Sequence, residues 1–347
     1  MLGIRKVLAG VWAAAVFVLA VCHLNHPRLW IQDLLCSVSL YWIPFVGADF
    51  LRRLAKAFVL RRSTVLALAL VITEGYLILR VSELAMPYVR ARSLPTSQTA
   101  TGPEVSVLFS HVDFAPEGLT TLVREVSSRK PTVVVLVGEH PKLDAAQKAL
   151  PPFTAVLETS RAGSRGIRLF SQIAPLPDGE RDLGFDALPS LVVKLPLDSS
   201  VTLIFGALDL LPAFSHTDYF KSKVTSRRMA TIMRYATDPE IVVGNFEATP
   251  FSPLVSMYAR QVRVHSVMRG FGLFRTFDIR NPFVRMTLDN AFVSRGTHVM
   301  TCDVFSGISA SRYSLAWTER IDPTYRALRD GVKGEVTHPD VRATLIP

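Results

Sequence analysis

From Val105 onward, short runs of β-branched and aromatic residues alternate with stretches whose apolar residues recur at helical spacing, and few architectures accept that alternation. VSVLF (105–109), TVVVLV (132–137), SLVVKL (190–195), VTLIFG (201–206), EIVVG (240–244), LDNAFVS (288–294) and RYSLAW (312–317) read as strands. Between them Leu119, Leu122, Val123 and Val126 fall on one helical face, with Glu117 early and Arg129 and Lys130 late, as a helix dipole prefers. A longer helix is expected over 219–236, and Leu254, Met257 and Tyr258 open another. Many strands with several helices imply two packed sheets with helices outside. No fixed-period repeat is present.

The first 92 residues differ in kind. Three apolar segments, about 7–24, 31–50 and 63–80, are expected to be transmembrane helices, since a span needs about 20 apolar residues. A buried helical hairpin is the alternative for the second and third. Arg5 and Lys6 precede the first segment, and Arg52, Arg53, Lys56, Arg61 and Arg62 lie between the second and third. Positive-inside logic then places the N-terminus in the cytoplasm, and an odd number of spans makes the large C-terminal domain extracytoplasmic. A polar Ser, Thr and Pro-rich linker is read over 93–104, the α/β domain over 105–318, and a tail of unreadable role over 319–347.

The formal charge of +10 invites a nucleic-acid reading, so its location matters. Residues 1–92 hold 11 of the 39 lysines and arginines but only 4 of the 29 acids, so the rest of the chain is nearly balanced. Phosphate-backbone binding needs a concentrated basic surface, which argues against nucleic acid as a partner for the α/β domain. The three cysteines, Cys22, Cys36 and Cys302, have neither disulfide-framework nor zinc spacing and read as buried thiols.

No G-x-S-x-G, phosphate-binding loop or H-E-x-x-H motif occurs. What remains are polar residues at strand ends. In EIVVGNFEATPFS (240–252) a buried strand runs into Gly244 and presents Asn245 and Glu247.

SHV after the first strand, then KPTVVVLVGEH, SRGIRLFSQIAP, IVVGNFEATPFSP and LDNAFVS, in that order, resemble the endonuclease/exonuclease/phosphatase superfamily, of DNase I-like fold. The three-segment N-terminus looks like that of its membrane-anchored bacterial branch. The resemblance covers about 105–317. It implies a two-sheet α/β sandwich and metal-dependent phosphoester hydrolysis, usually with Mg2+. It also implies which positions would act. The family's G-D-F-N becomes Gly244-Asn245-Phe246-Glu247, so an amide stands where an Asp orients the attacking water. Asp289 is retained, but the terminal S-D-H becomes Ser309-Ala310-Ser311, which deprives Asp289 of its His partner. His111 takes the place of an Asn after the first strand. The metal-binding acid falls at Gly138, so Glu139 serves only if a bulge absorbs one residue.

The family-aligned catalytic positions are therefore Asn245, Asp289 and Ser311. Glu139 and Glu247 are the candidate metal ligands, joined by His111 and His140 in a divergent site that would suit Zn2+ or Mn2+. His111, Arg312 and Arg269 are the candidate phosphate-binding residues. The bland alternatives are that Glu247 is a solvated loop acid, His140 a surface residue, and the run Arg260, Arg263, Arg269, Arg275, Arg280 and Arg285 a solvated loop. Losing several groups that act as a unit removes most of a mechanism. The expected function is thus a membrane-anchored, extracytoplasmic, non-catalytic or strongly diverged binding or scaffold module. Its expected partners are the lipid bilayer and a phosphate-containing or anionic-lipid ligand. The alternative is a phosphodiesterase or phosphatase, with Mg2+ or Mn2+ as cofactor, acting on a membrane-associated or periplasmic phosphate compound.

Overall fold

A computed structural model describes residues 2–24, 35–36, 39–60, 65–89, 102–160, 165–177, 181–182, 188–212, 215–234, 238–272, 274, 276–277, 286–294 and 296–322. The first sheet has the order β11-β12-β1-β2-β4-β3. Its strands are β1 (Glu104–His111), β2 (Val133–Glu139), β3 (Ala155–Ser160), β4 (Arg165–Ser171), β11 (Thr297–Phe305) and β12 (Ser314–Ile321). The second sheet has the order β5-β6-β7-β8-β10-β9. It comprises β5 (Arg181–Asp182), β6 (Ser190–Pro196), β7 (Thr202–Asp209), β8 (Glu240–Asn245), β9 (Val264–Ser266) and β10 (Asp289–Ser294). β1 and β2 are parallel, as are β7 and β8, and the other pairs are antiparallel.

One set of alternate residues from each long strand fills the space between the sheets. Val105, Val107 and Phe109 of β1, Val133, Val135 and Val137 of β2, Leu203, Phe205 and Ala207 of β7, and Ile241 and Val243 of β8 all belong to this buried layer. The other set faces helices. α4 (Gly118–Arg129) and α5 (His140–Ala149) cover Leu108, Val134, Leu136 and Phe170 of the first sheet. α6 (His216–Arg234) and α7 (Pro253–Val262) cover Ile204, Val242 and Phe292 of the second. Each fully buried aliphatic or Phe side chain contributes about 1.5–3 kcal/mol, which is why both faces of the central strands are apolar. β7 and β8 also need one side chain missing. A Cβ on Gly244 would lie 2.0 Å from the carbonyl oxygen of Leu208.

The N-terminal segments form α1 (Leu2–Leu24), α2 (Ser39–Leu60) and α3 (Val65–Val89). Among the described residues, no helix is long and apolar enough to cross a membrane. This corrects the transmembrane part of the expected fold class, and the orientation inferred by counting spans loses that basis. The helices run beyond the apolar segments into charged turns that pair internally. Asp49 of α2 accepts from Arg52 and Arg53 at 2.5 and 2.8 Å, and Arg53 lies 3.5 Å from Glu74 of α3. Val16, Leu19, Val46, Leu77 and Val81 form their shared core, which takes in Phe251 of the sandwich. Residues 31–34, 37–38 and 63–64 of the expected spans, 93–101 of the expected linker and 323–347 of the expected tail lie outside the described residues.

One inward-facing residue does not fit an apolar layer. Glu319 on β12 is fully buried, its Oε2 accepts from the Trp317 indole at 3.2 Å, and its Oε1 has no hydrogen-bond partner. Burial pushes its carboxyl up to about 8, against a small opposing effect of the Trp317 bond. A raised folded-state value means stability that is whole below the ordinary 4.5 and is lost as pH rises through about 8. Glu319→Gln should therefore remove a slope of up to about 1.4 kcal/mol per pH unit in that window, measured by urea unfolding at stepped pH.

Candidate functional site

The polar cluster lies where the inward-facing residue sets run out. Extending each set by one two-residue step beyond its last apolar member gives His111 on β1, Glu139 on β2, Asp209 on β7 and Asn245 on β8. The antiparallel neighbours start at the same end, with Arg165 on β4 and Asp289 on β10. Just before β12, a tight turn supplies Arg312. Ser309 Oγ accepts from the backbone N–H of Arg312 at 2.8 Å and of Ser311 at 3.2 Å. Ser309 also contacts Asp113, and Ser311 Oγ donates to Asp113 Oδ2 at 2.5 Å. The two serines thus tie the turn to the end of β1.

Arg312 is the centre of the cluster. Its Nη1 donates to Asn245 Oδ1 at 3.0 Å and to Asp289 Oδ1 at 3.1 Å, and its Nη2 donates to Glu247 Oε1 at 2.5 Å. The Phe277 ring covers the guanidinium at 5.2 Å. Burial works against its charge, but Asp289 and Glu247 more than offset this and hold it firmly protonated. Asp289 is fully buried. Burial works to raise its carboxyl, yet His111, Arg312 and the Thr276 hydroxyl hold it below its usual 3.8.

Asn245 joins this group to a second ion pair. Its Nδ2 donates to Asp209 Oδ1 at 2.9 Å and to Glu247 Oε1 at 2.8 Å. Its Oδ1 accepts from Arg312 and from the backbone N–H of Glu247 at 3.1 Å. Asp209 is in turn held by Arg165, Nε at 3.0 Å and Nη2 at 3.3 Å. Only an amide presents donors to two carboxylates and an acceptor to a guanidinium at once. Glu247 reaches its partners from a left-handed backbone, φ 48°. For a non-glycine residue that conformation costs roughly 1–2 kcal/mol. The helix behind it starts cleanly, because Ser252 Oγ accepts from the N–H of Leu254 at 3.0 Å and Pro253 follows the cap.

The structure brings His111, Asn245, Glu247, Asp289 and Arg312 together. It corrects four expectations. Asp289 has not lost its histidine, because His111 Nε2 from the other sheet lies 2.9 Å from its Oδ1. Glu139 needs no bulge. The β2–β4 pairing is regular through Gly138↔Gly166 and Glu139↔Arg165, and Glu139 shares the inward face of Val137. It lines a cleft of about 240 Å3 beside His111, Asp113, Lys142, Ser311 and Arg312. Arg269 is not in this cleft but lines a separate cavity. His140 pairs with Glu158 at 3.0 Å on the helix side of the sheet. Of the basic run, Arg275, Arg280 and Arg285 lie outside the described residues. Sequence reasoning missed Asp209, Arg165 and Asp113. The first two were available from strand periodicity, since each continues an inward-facing set.

These residues do not fit a divalent metal as they stand. Asp289 and Glu247 both face one guanidinium, and Asn245 offers it a third oxygen. Asp289 Oδ2 is without a partner, but among the described residues no group of three His, Cys, Asp or Glu is placed to share an ion. Binding one there requires Arg312 to leave.

No family model and no curated protein matches the chain. Solved structures do match it. An endonuclease/exonuclease/phosphatase from Beutenbergia cavernae aligns over 63% of this chain and 72% of its own, at 14% identity and a TM-score of 0.50. D. rerio TDP2, solved with a single-strand DNA product, aligns over 62% of this chain and 99% of its own, at 13% identity and a TM-score of 0.50. At this identity the likeness is one of fold. The domain has the two-sheet endonuclease/exonuclease/phosphatase fold, and its chemistry must be argued from its own side chains.

Asn245→Asp, which introduces the acid that the resemblance implies at this position, should destabilise the protein by about 3–5 kcal/mol, because it places a third carboxylate against two others in a buried network. Arg312→Met should cost a similar amount at neutral pH and less as pH falls through the carboxylate range, because Asp289 loses the charge that keeps it ionised and its protonation then relieves the unmatched buried charge. Denaturant titration at neutral and acid pH checks both.

Proposed function

We propose that the sandwich is a strongly diverged, non-catalytic member of its fold class, acting as a binding or scaffold module. One observation carries this reading. The Arg312 guanidinium sits among Asp289, Asn245 and Glu247 as a fixed cation, where a phosphoesterase of this fold would need exchangeable positive charge. Asn245 has both its donors and its acceptor engaged, and as a neutral amide it cannot draw a proton from water. Mg2+ or Mn2+ would have to displace a bound guanidinium from two carboxylates, giving up charge-assisted bonds worth about 1.5–3 kcal/mol each.

The cleft itself is of mixed charge. Glu139 and Asp113 share its lining with Lys142 and Arg165. That lining suits a small polar or zwitterionic group better than a nucleic-acid backbone, which calls for a continuous basic track. The alternative is a metal-dependent phosphodiesterase or phosphatase. It draws support from the fold and from the His111–Asp289 pair, whose imidazole also lines the cleft.

The purified full chain, assayed on phosphomonoester and phosphodiester substrates with Mg2+, Mn2+ or Zn2+, should release no product above a metal-only control. Metal-dependent turnover that disappears in Glu139→Ala and Glu247→Ala would overturn the non-catalytic reading.

A further inference from the structure

A second cavity, of about 500 Å3, opens where α3 meets the α7–β9 edge of the sandwich. That volume falls inside the range of about 300–1,000 Å3 usual for small-molecule sites. The junction is tied by a backbone bond from Gly270 N–H to the Pro87 carbonyl at 3.0 Å. Arg260, Arg263 and Arg269 line one wall, and Arg80 and Tyr88 of α3 line the other.

The charge around this cavity is unbalanced. Arg80 is paired with Glu83 at 2.9 Å. Among the described residues, Arg260, Arg263 and Arg269 have no carboxylate within ion-pair distance, and all three are exposed. Arg260 is steadied by its Nε bond to the Ser256 carbonyl at 3.2 Å. Arg263 caps α7 in a left-handed conformation, φ 63°, so the turn holds it at the rim. Burial pushes the Tyr88 phenol up, against smaller opposing effects of Ser266 and of the charge of Arg269. Three guanidinium groups around one opening repel each other unless an anion joins them, and their planar forks match phosphate oxygens bidentately.

We propose that this cavity is an anion site, distinct from the Arg312 cleft, that takes a phosphomonoester or diphosphate group through Arg260, Arg263 and Arg269. The phosphate can belong to a soluble compound or to a lipid headgroup, and the test separates the two. Calorimetric titration of the full chain with inorganic pyrophosphate reports the soluble source. Co-sedimentation with phosphatidylcholine vesicles, with and without phosphatidate, reports the lipid source.

The expected result is saturable, salt-weakened binding to pyrophosphate, to phosphatidate vesicles, or to both. Arg263→Ser with Arg269→Ser should weaken it by roughly tenfold or more, since a charge-assisted hydrogen bond contributes about 1.5–3 kcal/mol. Arg263→Lys with Arg269→Lys should restore it in part. Both positions are exposed, so unchanged thermal unfolding serves as the folding control. Binding to neither probe, or binding that the serine variants leave intact, would overturn the proposal.

Discussion

A strand sends only every second side chain to one face, and this molecule depends on that restriction throughout. The inward-facing sets of β1, β2, β7 and β8 are apolar for two or three residues and then become polar at a shared end. Parallel pairing puts the ends of β1 and β2 together, and those of β7 and β8, while antiparallel pairing starts β4 and β10 beside them. The same alternation that fills the core therefore builds the cluster. The members not carried on strands are Glu247, two residues past the end of β8, and Arg312, on the short turn before β12.

Within the cluster, order follows from charge. Two cations and three carboxylates are arranged with an amide as the coupling element. Each carboxylate faces a guanidinium, and Asn245 supplies the correct sense of hydrogen bond in both directions. This answers why the strand end reads amide then acid. An acid at 245 would meet Asp209 and Glu247 at under 3 Å, whereas an acid at 247 meets Arg312.

Much of this was legible in the sequence. The strand runs and the two-sheet arrangement follow from hydrophobic period, and His111, Asn245, Glu247 and Asp289, named from strand ends and motif order, lie around Arg312. What was not legible had physical causes. The inward direction of Glu139 follows from the parity of Val133, Val135 and Val137, which a motif spacing taken from other chains does not carry. The pairing of His111 with Asp289 crosses from one sheet to the other, and no local pattern reports a contact between residues so far apart in the chain. In the second and third apolar runs, hydropathy does not show that Asp49, Arg53 and Glu74 lie against each other.

The turn that delivers Arg312 has a consequence for how such a domain could change over generations. The guanidinium, the two acids and the amide satisfy one another, so any single replacement leaves a buried charge unmatched, while a coordinated set need not. A lineage carrying this cluster would sit behind a barrier of coupled substitutions. Drift at the cleft rim, at Glu139 or Lys142, is freer, because both are partly or largely exposed and joined only at 3.8 Å. New ligand preferences would therefore arise at the rim first, around an interior held fixed by its own charges.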